Sequence, residues 1–322
     1  MQAVVYRSYG EPEVLSIEEL SVPEPKDNEV LIEVRAASVN PLDWHFMRGE
    51  PGIVRLFLGL GKPKEIRFGA DLAGVVRAVG SRVTRFKAGD EVFGSGRGAF
   101  AEMACVPESA LAAKPASLSF EQAAALPIAG VTALQALQDK AQVRQGHQVL
   151  VNGASGGVGS FAVQIARALG AEVTAVCSAR NVETVRALGA ERAIDYARED
   201  FTMSAQRYDT IVECVGNRTL RDCVRVLKPK GVIVGIGATG NGTAKLLALT
   251  LGRGIYSLFI SQSVKGMMAK MNAKDLETLA RMFEQAQVRP VIDRSYPLKE
   301  TAEAVRYLET MRARGKVVIA VS

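Results

Sequence analysis

Residues 148–171, QVLVNGASGGVGSFAVQIARALGA, run from a short apolar segment through a cluster of glycines into an amphipathic stretch, with nothing in between. Residues 149–151, Val-Leu-Val, have the continuous apolar texture of a buried parallel strand. Val158, Phe161, Ala162, Ile165, Ala166 and Leu169 then recur at i, i+3, i+4, i+7, i+8 and i+11, which is one face of a helix. A strand that enters a helix over so short a turn needs residues without side chains where the two elements meet. The turn Ala154-Ser155-Gly156-Gly157-Val158-Gly159 matches G-x-G-x-x-G with alanine in the first position. Gly156 lets backbone approach a phosphate and Gly159 lets helix approach strand, while turn N–H groups and the positive end of the helix dipole favour an anion. The segment therefore predicts a βαβ sheet that seats a dinucleotide pyrophosphate on Ser155, Gly156, Gly157 and Val158. The alternative is a tight structural turn that carries similar glycines.

Residues 172–177, EVTAVC, read as the second strand. Sites selective for a free ribose place Asp or Glu at its end. Here the chain reads Cys177-Ser178-Ala179-Arg180-Asn181: a hydroxyl, a guanidinium and an amide, groups suited to a 2′-phosphate, with Arg binding it through charge-assisted hydrogen bonds. Ser178 and Arg180 are accordingly expected to contact NADPH. The alternative is an Arg180 that opens the next helix in solvent.

Around this unit the chain shows two textures. Residues 3–6, 30–39, 73–79, 91–93 and 100–106 are short β-rich runs punctuated by Pro and Gly, as in a compact β-rich domain. At Ser119-Phe120-Glu121-Gln122 a capping-box pattern opens an alanine-rich helix, which Pro127 is expected to interrupt before a second helical run over about 131–141. Strand and helix then alternate: 149–151, 173–177, 192–194, 210–214 and 232–236 as strands, with helices at 182–188 and near 220–227. Such alternation means a doubly wound parallel sheet, so the fold class is α/β. A helix at 275–286 follows, then strands at 291–296 and 317–321 around an amphipathic helix at 302–311. The tail is expected to complete the first domain, giving 1–121 with 290–322 as one domain and 122–289 as the dinucleotide-binding one.

With 322 residues, 48% hydrophobic and 23% charged, the chain has the composition of a folded protein and not of a disordered one. The net charge of +6 comes from scattered Lys and Arg without a run of like charges, so no nucleic acid is expected as a partner. Four cysteines, at 105, 177, 214 and 223, form no C-x-x-C, which points to neither a disulfide framework nor a metal knuckle and fits a reducing compartment. MQAVVYRSYG reads as a strand and not as a secretory leader. The most apolar later stretch, 246–260, is too short to span a bilayer, is broken by Gly252-Arg253-Gly254, and is expected to be a lid or an interface.

Taken together, PEPKDNEVLIEVRAASVNPLDWHFMRG, FGADLAGVVRAVGSRVTRFKAGDEVFG, GASGGVG, YDTIVECVG, LKPKGVIVGIG and GKVVIAV resemble the medium-chain dehydrogenase/reductase superfamily over nearly the whole length. Within it the chain is similar to the zinc-free quinone oxidoreductase branch, especially bacterial relatives of the reticulon-interacting mitochondrial oxidoreductases. The resemblance implies a GroES-like catalytic domain, a Rossmann domain inserted in it, and NADPH in the cleft between them. Where zinc-dependent relatives place a Cys and a Gly-His-Glu, this chain has Asn40-Pro41-Leu42-Asp43 and Gly69-Ala70-Asp71, and it lacks the four cysteines of the structural zinc lobe. With only His45 and His147 as histidines and no thiolate partners, no tetrahedral N/S site can be assembled, and no metal is expected. A set of Asp43, His45 and Asp71 is a remote alternative; both aspartates are expected to bond local backbone in turns.

Without a Lewis acid to polarise an alkoxide, reduction of a conjugated carbonyl is easier than oxidation of a simple alcohol. The expected activity is hydride transfer from NADPH to quinones or α,β-unsaturated carbonyls. The resemblance puts Asn40 near the nicotinamide, its amide a candidate donor to a carbonyl. His45 is a candidate proton donor and Trp44 a candidate wall of the pocket. Further cofactor contacts are expected in the loops that follow parallel strands, at Val215, Gly216 and Gly237, and at Thr132 from its own helix. By resemblance, Tyr196 is placed near the adenosine half, and Arg314 lies in a segment that reaches over the cleft. A cytoplasmic homodimer joined through the Rossmann edge is expected, with no membrane insertion. The rival readings are a zincless alcohol or aldehyde reductase, a non-catalytic NADPH- or RNA-binding protein on the same fold, and a domain of a larger polyketide-type reductase, which the self-contained start and end argue against.

Overall fold

A computed structural model of the chain describes residues 1–236 and 261–321. It divides into two compact units: Met1–Val131, Met271–Ala286 and Pro290–Ser322 form the first, Thr132–Lys270 and Gln287–Arg289 the second. The helices Phe120–Ala124 and Ala273–Glu284 thus lie with the first unit, where the sequence reading ran the second domain from 122 to 289. Packing explains their place. The side chain of Leu279 sits so close to Gly130 that a Cβ there would meet its Cδ1 at 2.8 Å, and the Ala124 carbonyl accepts from the Ser38 hydroxyl at 2.8 Å.

In chain order the first unit begins with β1 (Gln2–Tyr6), β2 (Leu15–Glu19), β3 (Glu29–Val39), β4 (Asp71–Val79), β5 (Glu91–Ser95), β6 (Met103–Pro107) and β7 (Leu111–Ala113). The second contributes β8 (Gln148–Asn152), β9 (Glu172–Cys177), β10 (Arg192–Asp195), β11 (Tyr208–Glu213), β12 (Leu227–Ile236) and β13 (Ser263–Met267). The chain ends with β14 (Ile292–Pro297) and β15 (Lys316–Ala320), back in the first unit.

The first unit is built on the sheet β14-β15-β3-β4-β5-β7, with β6 also paired to β3. The long β3 organises it: Val30, Ile32 and Val34, at every second residue, enter a core shared with Val76, Val92, Phe100, Val106, Val317 and Ile319. This period-two burial is what an antiparallel sheet with one covered face requires. The tail joins the sheet because Lys316–Ala320 pairs antiparallel with the end of β3, Val317 opposite Val39.

The second unit is a parallel sheet of order β10-β9-β8-β11-β12-β13. Numbered from β8, this is the doubly wound order 3-2-1-4-5-6, in which the direction of winding reverses between β8 and β11. β8 and β9 are buried along nearly their whole length, as strands covered on both faces must be. The helix Gly157–Ala168 buries Phe161, Ala162, Ile165 and Ala166, and also Val163 and Gln164, so it is enclosed well beyond the single stripe read from the sequence. The Gln164 amide accepts from Arg289 N at 2.8 Å and donates to Arg289 O at 3.0 Å, tying down the segment Gln287–Arg289.

Candidate active site

The carboxyl ends of β8, β9, β10 and β11 converge at the reversal in the sheet. The turn after β8 is fixed by Gly153, whose φ of +81° lies where only glycine sits without strain. Its N–H and that of Ala154 both donate to Val176 O, at 3.1 and 3.0 Å. The conformational demand thus falls on Gly153, one residue before the alanine that stands first in the glycine pattern. Gly159 has no room: a Cβ would stand 2.1 Å from Gly153 O. Gly156, the N-cap of the helix, is the opposite case, because a Cβ there would touch nothing but Gly153 O at 3.4 Å. The space above Gly156 is a cradle that any side chain would fill, bordered by the start of a twelve-residue helix with Gly157 and Val158 in its first turn. These residues fit a pyrophosphate.

At the end of β9 the half-buried Ser178 and the exposed Arg180 follow Cys177. Buried Asn181 donates from Nδ2 to Ser155 Oγ at 2.8 Å and to Ser178 Oγ at 3.2 Å, so the glycine turn and the end of β9 are bridged by one amide. Tyr196 follows β10, is 54% exposed, and donates its backbone N–H to Cys177 O at 3.1 Å, which sets it beside the same strand end. Ser155, Gly156, Ser178, Arg180 and Tyr196 are thus brought together. Burial raises the Cys177 thiol to about 11, so it stands in this region as a neutral group.

Across the reversal, Glu213 ends β11. Its carboxylate accepts from both Val215 N at 2.9 Å and Gly216 N at 2.7 Å, and from Asn152 Nδ2, which also reaches Asn217 Oδ1 at 3.0 Å. The backbone donors of Val215 and Gly216 therefore hold the loop in shape. Glu213 and Asn152 went unnoticed in the sequence, although each is a polar residue ending an otherwise apolar strand, and that break in texture was the available signal. Thr132 is buried within the helix Pro127–Gln135. Gly237 and the apolar segment 246–260 lie outside the described residues.

In the first unit, Asn40 caps the helix Pro41–Arg48 through a capping box with Asp43. Two features favour this start: Pro41 has no N–H to satisfy, and Asn40 N donates to Asp43 Oδ2 at 2.7 Å. Both amide hydrogens of Asn40 are committed, to Asp71 Oδ2 at 2.9 Å and Ser38 O at 3.2 Å, and its Oδ1 accepts from the Lys316 ammonium. Asp71 opens β4 and bonds far beyond its own turn: it lies 3.8 Å from Lys316 Nζ and accepts from Ile128 N at 3.2 Å, capping the helix Pro127–Gln135. Asp43, Asp71 and Lys316 are all buried. Burial raises Asp71 to about 6 and Asp43 to about 7 and lowers Lys316, so loss of solvation outweighs mutual attraction for each of the three.

Asp43 gives a pH-dependent prediction. Its folded-state pKa is raised above the ordinary 3.8, so its contribution to stability is full below that value and declines as pH rises through about 7. Asp43→Asn keeps an acceptor for Asn40 N and removes the titration. Chemical denaturation from pH 4 to 8 should show the variant gaining on the wild type by about 2–4 kcal/mol as pH rises. A difference that stays flat with pH would refute the assignment.

Trp44 and His45 follow on the same helix, their rings stacked with centroids 3.7 Å apart. His45 Nδ1 lies 3.1 Å from Glu50 O, an acceptor, so Nδ1 carries the proton. Burial lowers the His45 pKa, so at neutral pH the ring is neutral and its one N–H is spent on Glu50. Trp44 Nε1 is buried without a hydrogen-bond partner among the described residues. Arg314, just before β15, is exposed and donates its backbone N–H to Asp293 at 2.9 Å. Among the described residues no group of three His, Cys, Asp or Glu side chains is arranged to hold a metal ion. Asp71 faces an ammonium and an amide, and this donor set does not fit one. Nor, among the described residues, is any helix long and apolar enough to cross a membrane.

This geometry is that of a dinucleotide-dependent oxidoreductase built from a doubly wound unit and a β-rich unit. The alcohol dehydrogenase GroES-like domain matches residues 26–116, and the zinc-binding dehydrogenase family matches residues 188–319. A chloroplast envelope quinone oxidoreductase homolog of Arabidopsis thaliana is 33% identical, covering 99% of this chain and 98% of the relative. An NADPH-dependent alkenal/one oxidoreductase of the same plant is 34% identical over 99% of this chain and 79% of its own length. The solved quinone oxidoreductase of Coxiella burnetii superposes with a TM-score of 0.88 at 32% identity, covering 100% of this chain and 99% of that one. The chain belongs to the medium-chain dehydrogenase/reductase superfamily, in its quinone oxidoreductase branch.

Proposed function

We propose that the protein is an NADPH-dependent reductase of quinones and α,β-unsaturated carbonyls that works without zinc. The observation that carries this reading is the pair of hydroxyls on Ser155 and Ser178, bridged by one amide and followed by exposed Arg180, at a strand end where residues 177–181 include no carboxylate. When bound, NADPH supplies the hydride. The turn residues Gly156, Gly157 and Val158 hold its pyrophosphate, the bridged hydroxyls of Ser155 and Ser178 together with Arg180 hold its 2′-phosphate, and Tyr196 flanks its adenosine. Thr132, Val215 and Gly216 complete the contacts in this reading. The substrate class follows from the relatives, which are named for quinones and for alkenals and enones.

Reduction of a conjugated carbonyl places negative charge on its oxygen, which needs a hydrogen-bond donor and then a proton. On the substrate side we assign Trp44, whose indole N–H has no partner among the described residues, as that donor. Asn40, with its amide engaged on three sides, fixes the start of the helix that carries Trp44. His45 supports the indole ring by stacking on it, and because it is neutral near pH 7 with its N–H on Glu50, water supplies the proton. In the same reading the protein is a cytoplasmic homodimer joined along β13, which among the described residues is one of the two edge strands of its sheet.

The test is NADPH consumption against quinones, 2-alkenals and simple aldehydes, with and without a chelator. Turnover of the first two classes, slow turnover of simple aldehydes, weaker activity with NADH and indifference to the chelator are expected. Preference for simple aldehydes would favour the alcohol-dehydrogenase reading. Tight NADPH binding with no turnover would sink the enzyme.

A further inference from the structure

Asn181 is the N-cap of the helix Val182–Ala187, a place where an Asn side chain ordinarily accepts from the first turn. Here it makes no capping hydrogen bond. It is 4% exposed and turns back, with both amide hydrogens spent on the hydroxyl oxygens of Ser155 and Ser178, at 2.8 and 3.2 Å. Its Oδ1 is buried without a partner among the described residues. A buried amide that served only to fill space would have its carbonyl satisfied. This one forgoes both the cap and the carbonyl partner and directs all its hydrogen bonding at two serines from separate strand ends.

A serine hydroxyl has one hydrogen and two lone pairs. When an N–H occupies a lone pair, the hydroxyl hydrogen is left for another acceptor. We propose that Asn181 is a positioning residue for cofactor selection: by donating to both serine oxygens it leaves their protons outward, as a matched pair of donors for the 2′-phosphate of NADPH. Such bonds to a phosphate are charge-assisted and stronger than those to a ribose hydroxyl, so the arrangement discriminates NADPH from NADH. This rests on the reading of Ser155 and Ser178 as cofactor contacts.

The experiment is equilibrium titration of the full chain with NADPH and NADH, for the wild type, Asn181→Ala, Asn181→Asp, Ser155→Ala/Ser178→Ala, and the triple variant. Asn181→Ala should weaken NADPH about tenfold and leave NADH within about twofold. Asn181→Asp, nearly isosteric but only an acceptor, turns the hydroxyl protons inward and should cut the NADPH preference further, by about a hundredfold. In the serine double variant, adding Asn181→Ala should change nothing more. Equal weakening of NADPH and NADH in both Asn181 variants marks a merely structural role and overturns the proposal. So does an unchanged NADPH affinity in Asn181→Asp, which keeps the proposal testable where the alanine variant folds poorly. If the Asn181 variants have no effect while the serine variant loses NADPH, this inference alone fails. If the serine variant binds NADPH as the wild type does, the assignment of the serines fails and the inference with it.

Discussion

Gly156→Val should give a folded chain that no longer binds NADPH, with affinity reduced by about a hundredfold or more, whereas Gly159→Ala should damage the fold itself. The two glycines stand three residues apart in one turn and are needed for different reasons. At Gly156 the backbone is extended, with φ −82° and ψ −179°, and an added Cβ meets only Gly153 O at 3.4 Å. The fold has little objection to valine there beyond a poorer N-cap, a loss of about 1 kcal/mol. The side chain instead occupies the space from which a phosphate approaches the turn N–H groups. At Gly159 an added Cβ lies 2.1 Å from Gly153 O and 2.9 Å from Ala154 Cα, both backbone, so the helix must move off the strand. Overpacking of this kind destabilises by about 1–3 kcal/mol or more. Thermal unfolding and NADPH titration of both variants separate the effects. NADPH bound by Gly156→Val within about tenfold of the wild type would show that no phosphate sits over that glycine.

Lys316→Met should destabilise the first unit by about 3–5 kcal/mol, because it leaves the buried Asp71 without its ammonium and Asn40 Oδ1 without its donor. The double variant Lys316→Met/Asp71→Asn should recover at least half of that loss, since removing both charges removes the uncompensated one. Recovery is expected because burial already pushes Asp71 up to about 6 and Lys316 down: the surroundings disfavour the charged form of each, and the double variant removes both. Denaturant unfolding followed by a probe in the first unit measures both. A loss below about 1 kcal/mol in the single variant, the range of an exposed pair, would mean that the ammonium compensates nothing.

How far the sequence could be read depended on how local each determinant is. The capping box at Ser119 and Gln122 was legible because its two hydrogen bonds join residues three apart, and the structure has both. The break expected at Pro127 is there, since one helix ends at Ala124 and a second follows, but the second begins at Pro127 itself and not near 131, because the missing N–H is harmless in a first turn. β13 gave no signal: SVKGM at the edge of the sheet is only partly buried, so neither a continuous apolar run nor a clean alternation marks it. Asn40 and Asp71 were legible as residues but not as partners. Their contact at 2.9 Å spans thirty-one positions, and Lys316 reaches Asn40 from 276 positions away.

What the sequence determined by itself is the strand, turn and helix of residues 148–168 and the alternation that makes a parallel sheet, because period, turn chemistry and close approach all act within a few residues. It also determined the groups after β9, since a strand's end and the residues beyond it are contiguous. The tertiary structure decided which of those groups face one another. It set Gly153 at the left-handed corner of the turn, joined Ser155 to Ser178 through Asn181, hung the loop at Val215 and Gly216 on Glu213, and closed Asn40, Asp43, Asp71 and Lys316 into one buried cluster. The reason is physical: a hydrogen bond or a buried charge is settled by what lies within a few ångströms, and for these groups the sheet, not the chain, brings the neighbours.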